Sequence, residues 1–133
     1  DKMRSCITFD EDLSRKIYAG SDMFLMPSKF EPCGLSQLIA MRYGCIPIVR
    51  ETGGLKDTVH YFNSTTGEGN GFSFATYNAH DMLFTIQRAV GLFYEQRDQW
   101  KVLTTNACKS DFNWKNSADT YLYYYKKITG KLV

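Results

Sequence analysis

The residues best placed to do chemistry together lie in one run, positions 28–37, Ser-Lys-Phe-Glu-Pro-Cys-Gly-Leu-Ser-Gln. It carries a single carboxylate, Glu31, ahead of an apolar segment with helical spacing, Leu35-Ser-Gln-Leu-Ile-Ala-Met-Arg-Tyr43. A continuous strand-like run, Met23-Phe-Leu-Met-Pro27, leads into it. Strand, tight loop, helix is the order in which α/β proteins grip an anionic ligand. Pro32 suits the first helical position, where a missing N–H costs nothing. Gly34 lets a ligand approach the backbone closely. The N–H groups of Leu35 and Ser36 would lack intrahelical acceptors and can point at a phosphate. By itself, Glu31 reads more readily as a helix N-terminal carboxylate stabilising the dipole by about 0.3–1 kcal/mol.

The elements that must position this loop alternate between strand and helix. Strands are expected at 5–8, 23–26, 45–49 and 72–74, the second continuous and apolar as suits a parallel strand covered on both faces. Pro47 argues against a central place for its residue. Helices are expected at 11–19, opened by Asp10 and ended by Gly20, at 33–43, stopped by Gly44, and at 79–95, 96–110 and 115–127. Thr52-Gly53-Gly54 reads as a loop, and 61–71, polar and glycine-rich, as an exposed, mobile connection. The whole of 1–133 is therefore expected to be one α/β unit, a Rossmann-like parallel sheet with flanking helices and a helical C-terminal tail.

Bulk properties narrow the function classes. The chain has 133 residues, 44% hydrophobic and 23% charged, enough to bury a core. A net charge of +2 with no block of like charge argues against nucleic acid or an anionic membrane as partner. No apolar run approaches the roughly 20 residues of a membrane span. Four cysteines (6, 33, 45 and 108) show no C-x-x-C spacing, and His60 and His80 stand far apart. No metal site is expected, and the thiols are expected to be reduced and mostly buried.

Three motifs in order carry a family resemblance: the 28–37 run, Arg42-Tyr-Gly-Cys-Ile-Pro-Ile-Val-Arg50, and Thr52-Gly-Gly-Leu-Lys-Asp-Thr-Val59. Together they resemble the C-terminal domain of bacterial glycogen synthases and plant starch synthases, retaining transferases of the GT-B fold. The resemblance covers nearly the whole chain and weakens in the 61–70 region and after Ile128. It implies a donor-binding domain whose first two strands, with the family's catalytic arginine and lysine, lie upstream of Asp1, as does a whole acceptor-binding domain. The chain is then expected to be an excised fragment. Its sheet should close up non-natively or pair a bare edge with another copy, a route to self-association.

The resemblance also implies roles. The residue matching Glu31 sits against the donor sugar, backbone at Cys33 and Gly34 lines that sugar, and amides at Leu35 and Ser36 hold the diphosphate. Thr52, Gly53 and Gly54 bring backbone close to the nucleotide sugar, with a plain turn as the alternative. Phe9 aligns with an aromatic position beside the base, with core packing as its rival. The tyrosines at 121, 123, 124 and 125 could stack on carbohydrate, although the packed face of the last helix is the expected reading. Ile39 stands where many related retaining transferases carry a second glutamate, a residue that glycogen and starch synthases commonly lack.

The physics is consistent with that chemistry. When the bond from anomeric carbon to phosphate breaks, negative charge grows on the diphosphate and positive charge on the sugar ring; backbone donors suit the first and a carboxylate the second. Glycoside hydrolysis would need two carboxylates flanking the bond, and the motif offers one. The expectation is a glucosyltransferase moving glucose from ADP-glucose, or UDP-glucose, to the non-reducing end of an α-1,4-glucan with retention. It would use no cofactor or metal and would sit in bacterial cytoplasm or a plastid. The alternatives are a GT-B transferase with another acceptor, such as a sucrose- or trehalose-type synthase, and a fragment that only binds nucleotide sugar or a partner.

Overall fold

Residues 2–130 are described by the structure, a computed structural model. Helix α1 (Glu11–Gly20) starts where Asp10 offers its carboxylate to the N–H of Leu13 at 2.9 Å. Strand β1 (Met23–Met26) follows, then α2 (Ser36–Arg42), β2 (Ile46–Arg50), the short α3 (Gly54–Thr58) and β3 (Phe72–Phe74). Helices α4 (Ala79–Glu95), α5 (Arg97–Lys109) and α6 (Trp114–Thr129) complete the described chain. The three strands form one parallel sheet in the order β1-β2-β3, with Met23 opposite Ile46 and Ile48 opposite Phe72. Parallel pairing demands crossovers, which α2 and the α3-containing segment supply.

The core gathers where helices cover β2. Ile46, Ile48 and Val49 meet Met41 of α2, Leu55 of α3, Ala89 and Leu92 of α4, and Trp100, Leu103 and Ala107 of α5. Phe93 stands edge-on to Trp100, 5.0 Å between ring centres, and ties α4 to α5. Burial of so many aliphatic and aromatic groups on one strand makes β2 the mechanical centre of the domain.

Several expectations change. Residues 5–8 form no strand: a strand exists only with a ladder partner, these residues have none, and Ile7 stands 99% exposed. They therefore do not close onto β1, whose outer edge is unpaired among the described residues. Pro47 does sit in the central strand. Ile46 donates to Asp22 on the β1 side while Glu51 donates to Phe74 on the β3 side, so Pro47 faces β3. The β3 ladder begins one residue later, at Ile48, and the absent N–H costs no strand bond.

The 61–71 segment is a pinned turn. Asn63 donates to Glu68 at 2.8 Å, and the Asn106 side chain donates to the carbonyls of Gly67 and Gly69 at 2.8 and 2.9 Å. Buried Asn70 joins Thr58 and Ser110, each at 3.0 Å, and Phe62 enters the core. Helix α6 buries no residue, and the tyrosines at 121, 123, 124 and 125 are exposed, so the expected packed face is not packed among the described residues. All four cysteines are free, but only Cys45 is buried; Cys108 is half-buried, and Cys6 and Cys33 are exposed.

Candidate active site

Three chain segments leave the carboxyl ends of the parallel strands on the same side of the sheet: 27–35 after β1, 51–54 after β2 and 75–78 after β3. Ligands of open α/β sheets bind at that edge. In the first segment, Glu31 is half-buried, with Ser28 Oγ 3.5 Å from its Oε2. The helix expected from residue 33 begins only at Ser36, because Gly34 takes a left-handed φ of +74° and breaks helical geometry. Pro32 is accordingly a loop residue. The N–H groups of Leu35 and Ser36 meet no acceptor among the described residues.

The two glycines of the second segment are packed against the first. A Cβ on Gly53 would fall 2.0 Å from the Glu31 carbonyl oxygen, and one on Gly54 would fall 2.2 Å from that of Cys33. The Gly54 N–H donates to Pro32 at 3.3 Å. Gly53 and Gly54 are thus the surface on which the Glu31 loop lies. The segment goes straight into α3, a helix the pattern of the sequence did not announce.

Two further residues hold this arrangement. Gln37 is completely buried, and its Nε2 donates to Gly34 O at 2.9 Å, to Cys33 O at 3.2 Å and to Thr58 Oγ1 at 3.2 Å. Thr58 Oγ1 in turn donates to Gly54 O at 2.6 Å, so one amide links both glycine-bearing segments. Arg50, at the end of β2, donates to Ser28 O and Lys29 O and lies over the Tyr77 ring at 5.6 Å. Sequence reasoning missed both as site residues. Gln37 had one signal, a polar amide one helical turn after Cys33 on a face otherwise filled by apolar side chains; Arg50 had another, a lone cation closing an apolar strand.

Other candidates are placed differently. Phe9 is 92% exposed, which rules out core packing, and it stands ahead of α1 outside the assembled cluster. Beside the cluster, Pro27, Phe74, Tyr77, Asn78, Ala79 and Met82 line a groove of 320 Å³. A larger cleft, 640 Å³ between α2 and the α5–α6 connection, contains none of the residues of the Glu31 loop or the glycine turn. Ile39 lines that cleft rather than the Glu31 side. Among the described residues no three His, Cys, Asp or Glu side chains converge as metal ligands.

Residues 7–102 match the profile of the family described as "Glycosyl transferases group 1". The chain belongs to the group 1 glycosyltransferases. It is 57% identical over 129 residues to the glycogen synthase of Bacillus subtilis and 56% identical over 131 residues to that of Clostridium novyi. These alignments cover 97% and 98% of this chain but only 26% and 27% of the relatives, so the chain spans about a quarter of their length. The catalytic domain of starch synthase IV from Arabidopsis thaliana, solved bound to ADP and acarbose, superposes with a TM-score of 0.81 at 42% identity, over 93% of this chain and 26% of that one. Sucrose-phosphate synthase from Thermosynechococcus elongatus shares the fold, with a TM-score of 0.61 at 24% identity over 92% of this chain and 29% of that one. The α/β unit with its parallel sheet is therefore a GT-B-type fold.

Proposed function

We propose that residues 1–133 are the donor-binding part of a retaining glucosyltransferase of the glycogen or starch synthase type. The full protein would move glucose from ADP-glucose to the non-reducing end of an α-1,4-glucan. The observation that carries this reading is the seating of the Glu31 loop on Gly53 and Gly54 at the carboxyl edge of the sheet, in a chain more than half identical to glycogen synthases. The ADP in the starch synthase IV structure supports an adenine nucleotide over a uridine one.

In this reading the Glu31 carboxylate receives hydroxyls of the donor glucose and steadies the positive charge that develops on its ring. Backbone at Cys33 and Gly34 lines the sugar, and the free amides of Leu35 and Ser36 receive the departing diphosphate. Thr52, Gly53 and Gly54 close the other side. Phe9, exposed and aromatic, offers the base a stacking face. No cofactor is invoked. Residues 1–133 alone bind donor without turning it over. The acceptor glucan is held by chain outside this sequence, the compartment is the bacterial cytoplasm, and the unpaired edge of β1 is the surface for any self-association.

The test uses the full-length protein with glycogen primer and labelled ADP-glucose or UDP-glucose, following label into polymer. Incorporation from ADP-glucose is expected, and Glu31→Ala should lower kcat at least about 100-fold with an unchanged melting temperature. Near-normal turnover by that variant would refute the assignment of Glu31.

A further inference from the structure

We propose that Arg50 is a positioning residue for Glu31: its guanidinium holds the loop after β1 so that the carboxylate faces the donor sugar. The proposal rests on the reading of Glu31 given above. Arg50 ends the central strand, and its planar fork spans its two neighbours. Nε donates to Ser28 O at 2.9 Å, Nη2 to the adjacent Lys29 O, and Nη1 to Ala75 O at 3.4 Å. One side chain therefore ties the exit of β1 to the exit of β3 across β2. The Tyr77 ring stacks against its face, 5.6 Å from the guanidinium carbon.

No carboxylate pairs with Arg50; the ion pairs among the described residues are Arg15–Glu11 and Lys101–Asp98. The nearest acidic neighbour in sequence, Glu51, accepts from Ser73 Oγ at 2.9 Å instead. The cation is thus committed to backbone carbonyls. Ser28, whose carbonyl it holds, places its own Oγ 3.5 Å from Glu31 Oε2. Downstream, the Glu31 carbonyl rests on Gly53. The short path 28–31 is clamped at one end by Arg50 and at the other by the glycine turn, which leaves the carboxylate little freedom. A lysine cannot substitute: its donors radiate from a single nitrogen and cannot serve two successive carbonyls in one plane.

The test is made in the full-length protein with Arg50→Lys, and with Arg50→Gln beside it so that a folded variant is in hand if one fails to fold. Cleavage of the Lys29–Phe30 bond by trypsin should accelerate, with cleavage after Lys109 of α5 unchanged. Turnover with ADP-glucose should fall at least about 10-fold, while the Kd for ADP alone, which has no sugar, moves by less than about 3-fold. In a Glu31→Ala background, Arg50→Lys should cost less than about 2-fold, because the group it positions is gone. Full multiplication of the two losses, or an equal loss of ADP binding, overturns the proposal and leaves Arg50 a general stabiliser. Failure of the functional reading looks different: no glucosyl transfer by the unmodified protein, or an active Glu31→Ala variant. In that event the trypsin measurement still decides, since an unchanged cleavage rate after Lys29 shows that Arg50 does not hold the loop.

Discussion

At the scale of single residues, the site depends on side chains that are absent. Gly53 and Gly54 have no Cβ, and the backbone of Glu31 and Cys33 occupies the space where one would be. Gly54→Ala would have to push the Cys33 carbonyl outward, which breaks the Gly54–Pro32 bond and shifts the first turn of α3. The expected cost is about 1–3 kcal/mol from overpacking, together with weakened nucleotide-sugar binding. Urea unfolding and donor affinity measured on the same preparation check this; an alanine at 54 with both values unchanged would show that the loop is not seated there. Gly34 faces a related constraint, since its left-handed φ and the Gln37 Oε1 atom, 2.5 Å from the position of a Cβ, both oppose any larger residue. That oxygen has no hydrogen-bond partner among the described residues, because the amide is oriented by its nitrogen, which has three acceptors around it.

Secondary elements differ sharply in how much of the fold they hold. Helix α5 places Trp100, Leu103 and Ala107 in the core, and the pinned turn at 61–71 hangs from its Asn106. Helix α6, by contrast, buries no side chain among the described residues and is closed by caps: Asn113 accepts from the Lys115 N–H at 2.8 Å, and Gly130 ends the helix with a left-handed φ of +64°. Because no α6 side chain is buried, removing residues 114–129 should delete helical signal from far-UV circular dichroism yet leave the thermal midpoint of the domain within about 2 °C. A fall of 5 °C or more, on the order of 1 kcal/mol, would show that α6 does pack on the α/β body.

For the molecule as a whole, the buried cysteine just ahead of β2 makes stability sensitive to alkali. Burial, reinforced by the nearby Asp22 carboxylate, pushes the Cys45 thiol from an ordinary 9.0 up to about 11. The unfolded chain releases that proton near pH 9, whereas the folded chain keeps it until about 11. The contribution is therefore complete below pH 9 and is lost as pH rises through 11, with on the order of 2 kcal/mol gone by pH 11. Urea midpoints at pH 8 and pH 11 should drop further for the natural protein than for Cys45→Ala; equal drops would assign the alkaline loss to other groups.

Much of the architecture was legible in the residues. Asp10 as a cap, the apolar run of β1, and the periodic spacing of α4 are local properties, and they gave those elements with little error because propensity and burial agree there. The Glu31 loop and the glycine turn were visible as separate motifs. Their contact was not, because nothing in a linear pattern says that two segments twenty residues apart share one surface. Pro47, the 61–71 turn and the first residue of α2 went differently from expectation, each settled by a neighbour: the late start of β3, the Asn106 amide, and the backbone of Gly34. Residues 5–8 and α6 show the converse, since hydrophobic composition promised partners that the described residues do not provide. By itself the sequence determined the family and singled out the Glu31 loop and the glycine turn as candidates, because both depend on side-chain types in order. Only the tertiary structure decided how they are held: Arg50 and Gln37 act through distances and hydrogen bonds that exist once β1, β2 and β3 lie side by side.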